Sequence, residues 1–193
     1  LQPRGYLEVG VRYGSSLRLA SCPAIGIDPA PAVSAKENEE IVRMTSDEFF
    51  ATTAKQYLEW WGNPIDLVFI DGMHLVENAM RDFVNVMKYA NERTVVIFDD
   101  VLPYNQAIAA REQPPGDWTG DVWKVIPILG DLAKEMTIVD TDPTGALIVT
   151  NFGAEALSRI KEYFDYYVSK VVIDVEDVPD YIINRADAIQ PED

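Results

Sequence analysis

A chain of 193 residues carries 32 acidic against 16 basic side chains, a formal charge of −16, with 48% hydrophobic residues and one cysteine, Cys22. That size and balance suit a single soluble globular domain with a small appendage. The acidity repels phosphate backbones and anionic lipid, which sets aside nucleic acid and membrane surfaces as partners; a lone Cys22 offers neither an internal disulfide nor a thiolate cluster and fits a reducing cytoplasm.

The chain starts without Met on an almost immediate strand-like run, with no charged-then-apolar leader, and residues upstream are expected in the natural protein. Tyr6-Leu7-Glu8-Val9 is the first predicted strand, ending at Gly10, and Ser15 to Ala20 reads as a short helix. Ala24-Ile25-Gly26-Ile27 is a second strand, stopped by Asp28-Pro29, and Ile41 to Met44 a third, followed by Thr45-Ser46 and a helix from Asp47 to Trp60. Asp66 to Ile70 and Thr94 to Phe98 are apolar on successive residues, as strands covered on both faces are. Between them Val76, Met80, Phe83, Met87 and Ala90 recur at helical spacing. Pro103 to Gly120 is a polar, proline-bearing loop, long enough for a lid, and Asp121 to Leu129 reads as a helix that Pro127 kinks or ends. Met136–Val139 and Ala146–Thr150 form a predicted antiparallel hairpin about Asp142-Pro143-Thr144-Gly145. Residues 1–152 are then one domain. Residues 153–193 add an amphipathic helix, Ala154 to Lys170, and an acidic tail that packs on or extends it as a strand, a dimer contact or an arm.

Strands alternating with helices predict an α/β fold: a Rossmann-like three-layer sandwich, its sheet mostly parallel and ending in the hairpin. Right-handed crossovers place all parallel-strand C-terminal ends on one edge, where ligands bind.

The first such end carries Gly10 and Gly14, spaced G-x-x-x-G, which let the backbone approach a ligand. The dinucleotide fingerprint G-x-G-x-x-G is absent. Glu8, two before Gly10, would repel a phosphate but suits a ligand with a cationic amino-acid end, such as S-adenosylmethionine (SAM). Asp28 can accept both ribose hydroxyls, and Thr45 and Ser46 lie where an adenine edge would fall. Ser15 completes the predicted cofactor turn. Singly, each of these residues could equally serve a turn or a cap.

Asp71 closes the fourth strand and Asp99-Asp100 the fifth, so three carboxylates meet on neighbouring strand ends. Their repulsion calls for a cation, and all-oxygen ligation suits Mg²⁺. His74, the only histidine, follows Asp71 by three and titrates usefully near neutral pH. A helix-capping Asp or a solvated His would be the structural alternative.

Tyr6-Leu7-Glu8-Val9-Gly10-Val11-Arg12-Tyr13-Gly14 resembles motif I of the class I SAM-dependent methyltransferases. Asp66 to His74 and Val96 to Val101 resemble later motifs of one branch, the metal-dependent O-methyltransferases of macrolide sugars of macrocin and mycinamicin type. The resemblance spans roughly residues 5 to 150. It implies Asp71, Asp99 and Asp100 as metal ligands, with Asp71 also in the cofactor and catalytic sets, and His74 as the base that takes the acceptor's proton. The implied activity is Mg-assisted O-methylation of a small-molecule hydroxyl, with a homo-oligomer left open. The alternatives are a NAD-dependent oxidoreductase, which the missing second glycine disfavours, and a SAM-binding protein without catalysis.

Overall fold

The computed structural model describes residues 1–130, 135–151 and 177–192. Its strands are β1 (Tyr6–Val9), β2 (Ala24–Ile27), β3 (Glu39–Val42), β4 (Ile65–Ile70), β5 (Ala90–Asp99), β6 (Glu135–Val139) and β7 (Ala146–Thr150). The helices among the described residues are α1 (Ser46–Glu48), α2 (Ala54–Trp61), α3 (Val76–Val86), α4 (Val125–Gly130) and α5 (Asp180–Ile183). A π-helical turn, Phe49–Thr53, joins α1 to α2. None of these helices is long and apolar enough to cross a membrane.

The strands form one sheet in the order β3-β2-β1-β4-β5-β7-β6. β1 to β5 are parallel, and β7 runs antiparallel to both β5 and β6. This is the expected Rossmann-like sheet ending in a hairpin. Strand order reverses between β1 and β4, which opens a crevice beyond their C-terminal ends.

Alternate strand residues build the core. Leu7, Val9, Ile25, Val68, Val96 and Phe98 point to the face on which Phe49, Leu58, Met80, Phe83, Ile128 and Ile182 of the helices pack. On the other face Tyr6 and Ala24 meet Val11, Leu17 and Cys22, with Leu67 and Phe69 partly buried beside them. Arg4 ties the base of the sheet by a forked bond to the fully buried carboxylate of Asp66, at 2.7 and 2.8 Å.

Several elements differ from the predicted ones, each for a local reason. The helix expected over Ser15–Ala20 is a three-residue 3-10 turn, Leu17–Leu19, because the Ser16 hydroxyl is drawn to Glu8. β3 begins at Glu39, two residues early: this glutamate is buried against Arg18 and the Lys36 amide, so a charge that reads as loop lies inside the strand. Ala90 continues the helical spacing of α3 but belongs to β5. Turns at Lys88 and Tyr89 end the helix, and Ala90 pairs with Ile65. Pro127 does not kink α4, since it lies in the first turn, where its missing N–H is not needed. The helix expected over Ala154–Lys170 lies outside the described residues.

The Pro103–Gly120 loop is strapped down. Trp118 Nε1 donates to the Ala110 carbonyl at 2.7 Å, and Thr119 N donates to the Ile108 carbonyl at 2.9 Å. Arg111 forks onto Glu77 of α3 at 2.6 and 3.1 Å and reaches buried Asp121 at 2.6 Å. Asp121 in turn accepts the Val76 amide at 2.9 Å, which caps α3.

Candidate active site

The glycine turn is fixed by contact between strand ends. Gly10 has φ +89°, and a Cβ there would lie 1.9 Å from the Asp71 carbonyl oxygen, so only glycine lets β1 and β4 exit side by side. Asp28 shapes the same turn: its Oδ2 accepts the amides of Val11 at 2.9 Å and Arg12 at 2.8 Å, and Oδ1 accepts the Ala30 amide at 2.7 Å. The backbone of Gly14, φ +72°, closes the turn through a 2.6 Å bond to the Val11 carbonyl.

Glu8 is fully buried beneath this turn. It accepts the Tyr6 hydroxyl at 2.6 Å and the Ser16 hydroxyl at 3.0 Å. Burial pushes its carboxyl up to about 7, against the pull of those two bonds, and the charges of Asp71 and Asp28 push the same way. Ser16, not the exposed Ser15, supplies the hydroxyl that holds the turn. Thr45 caps α1, its Oγ1 accepting the Glu48 amide at 3.2 Å, while Ser46 bonds the buried carboxylate of Asp82.

The ends of β4 and β5 carry the acidic rim. Asp71, Gly72, Met73, His74, Asp99 and Asp100 line a cleft there, floored by Ile70 and Ala79. His74 Nε2 stands 3.4 Å from Asp71 Oδ1, and Nδ1 is 3.1 Å from Asp100 Oδ2 and 2.7 Å from the Trp118 carbonyl oxygen. Carbonyl and carboxylate oxygens accept, so Nδ1 carries a hydrogen toward the Trp118 carbonyl and Nε2 faces Asp71, an arrangement that favours the protonated ring. Burial alone would lower the imidazole, but Asp71, Asp100 and the Trp118 carbonyl outweigh it and push His74 up to about 9. Burial pushes Asp99 up to about 7, helped by the charges of Asp71 and Asp100, and raises Asp100 as well. The cleft thus concentrates negative charge against a single imidazole.

The donor atoms of Asp71, His74 and Asp100 lie within 4.8 Å of one another, close enough to share one ion. Carboxylate oxygens with one imidazole, in a site short of positive charge, fit a divalent cation. Asp99 stands beside this trio and outside it. Sequence reasoning brought Gly10, Asp28, Asp71, His74 and the Asp pair to one edge. It missed Ser16 and Asp82, and read Trp118 only as an aromatic bordering the lid loop that could contact the acceptor; the partners of all three are set by tertiary contacts that spacing does not reveal.

A family model described as a methyltransferase domain matches residues 7–101. The uncharacterized protein R132 of Acanthamoeba polyphaga mimivirus is 27% identical, covering 71% of this chain and 79% of that protein. Among solved structures, the O-methyltransferase TomG of Streptomyces achromogenes, in complex with SAM, superposes with a TM-score of 0.58 at 20% identity, covering 79% of this chain and 74% of that one. The MycE methyltransferase of mycinamycin biosynthesis, in complex with Mg, S-adenosylhomocysteine (SAH) and mycinamycin VI, gives 0.55 at 18% identity over 77% of this chain. This chain spans 45% of the length of MycE. Residues 7–101 thus match a methyltransferase domain, and the fold as a whole is similar to that of these solved methyltransferases.

Proposed function

We propose that the chain catalyses O-methylation of a small-molecule hydroxyl, with a sugar or other vicinal diol as the natural acceptor class, and that His74 is the general base. The carrying observation is the tautomer: the Trp118 carbonyl occupies Nδ1–H at 2.7 Å, which leaves Nε2 turned toward the cleft beside Asp71. A hydroxyl placed there gives its proton to Nε2 as its oxygen attacks once the imidazole is neutral, the form that a cation held by Asp71 and Asp100 would favour by cancelling their pull on the ring. Bound SAM supplies the electrophilic methyl carbon. Gly10, Gly14 and Ser15 form its turn, Asp28 receives the ribose hydroxyls, and Thr45 and Ser46 border the adenine. Glu8 acts from below by holding Ser16 and so the turn. Asp71 and Asp100, with Asp99 beside them, would hold a divalent cation such as Mg²⁺, which when bound would orient the acceptor and lower its pKa. MycE in complex with Mg and SAH, on a similar fold, supports this reading.

His74→Ala should cut turnover roughly 10²–10⁴-fold while SAM affinity, read by calorimetry, stays nearly constant. The 4.8 Å trio favours a second reading, in which His74 is itself an ion ligand. The same variant separates the two: lost Mn²⁺ or Mg²⁺ affinity marks a ligand, and retained ion affinity with lost turnover marks the base.

A further inference from the structure

We infer that Trp118 is a positioning residue for His74, an inference that rests on His74 being the base. The indole stacks on the imidazole, with ring centroids 5.0 Å apart and planes 24° from parallel. The same residue's carbonyl takes Nδ1–H at 2.7 Å. One residue thus fixes both freedoms of the ring: the stacked plane limits its flip, and the carbonyl sets its tautomer and direction.

The carbonyl is itself held from two sides. The indole N–H donates to the Ala110 carbonyl at 2.7 Å, across the loop. Two residues on, Gly120 (φ +54°) packs backbone to backbone on His74, where a Cβ would fall 1.6 Å from the His74 carbonyl oxygen. The Arg111 fork to Glu77 and Asp121 then anchors this loop to the first turn of α3, directly after His74. Imidazole, stacking ring and anchor are therefore tied together by one chain of contacts. A base held this way needs no reorientation when acceptor arrives, and misplacement of about 1 Å in such a group costs on the order of 10²-fold in rate.

His74 is the sole histidine, so its imidazole proton signals are identified without assignment. In the full chain we expect Trp118→Ala to move the Hε1 signal of His74 away from its ring-shifted position. Turnover should fall about 10–10²-fold with the KM for SAM within about twofold of wild type. Trp118→Phe keeps a stacking face and should restore most of both. An unchanged His74 signal and unchanged turnover in Trp118→Ala would overturn the inference. So would a joint loss of SAM affinity, turnover and melting temperature that Trp118→Phe does not rescue, since that marks a structural prop. His74→Gln distinguishes the two levels. If it retains turnover, the base assignment fails and the positioning role falls with it; if it is inactive while Trp118→Ala turns over normally, only the positioning role fails.

Discussion

Asp82 offers a quantitative test of the packing beside the cofactor edge. Its side chain, on the buried face of α3, is 2% exposed, bonds Ser46 through one oxygen, and has no hydrogen-bond partner for Oδ1 among the described residues. Burial therefore pushes its carboxyl up to about 7, from 3.8 when free; the Ser46 bond pulls down, the nearby Asp47 charge pushes up and Arg81 pulls down. An acid with a raised folded pKa holds its proton longer when folded. As pH rises, the unfolded chain releases its proton first, so the stabilising contribution is full below about pH 4 and is lost by about pH 7. At 1.36 kcal/mol per tenfold change the whole loss is about 4 kcal/mol, of which roughly 2–3 kcal/mol falls between about pH 5 and about pH 8. Asp82→Asn keeps the shape and removes the titration. Urea unfolding of both proteins at those two pH values should show wild type losing about 2–3 kcal/mol more than the variant on going to the higher pH. Equal losses, within about 0.5 kcal/mol, would refute the argument that this carboxyl is buried and short of a partner.

Further outcomes follow from the strand ends. Gly10→Ala should abolish SAM binding and lower stability by at least about 1–3 kcal/mol, because the new methyl meets the Asp71 carbonyl at a positive φ; calorimetry and thermal melting check it. EDTA should remove activity and Mg²⁺ restore it. Asp100→Asn should weaken Mn²⁺ binding, followed by electron spin resonance, more than Asp99→Asn does, since only Asp100 has an oxygen within the shared 4.8 Å set.

The fold was largely legible because strand ends carry their own punctuation. Gly10, Asp28, Asp71 and Asp99 each close an apolar run, and parallel topology alone then lines them along one edge. Side chains whose work depends on tertiary partners were not legible. Glu39 reads as loop until Arg18 neutralises it inside β3. Ala90 keeps helical spacing, but the helix stops where β4 offers a partner strand. Trp118 lies 44 residues from His74 along the chain, and no periodicity links them. The Pro103–Gly120 loop looked like a lid from its length and composition. Its anchoring to α3 depends on Arg111 finding two carboxylates at once, which only folding brings together.

On the proposed reading, in which Asp28 seats the ribose of SAM, its grip on the amides of Val11 and Arg12 bears on cofactor exchange. The carboxylate cannot swing to meet an incoming nucleoside; it is already aimed, and the loop it aims is the one the nucleoside must rest against. The entropy of arranging that seat is spent when the chain folds, so successive cofactor molecules meet a finished mould. Loosening those two amides would make every arrival re-form the seat, and the penalty would appear as slower capture.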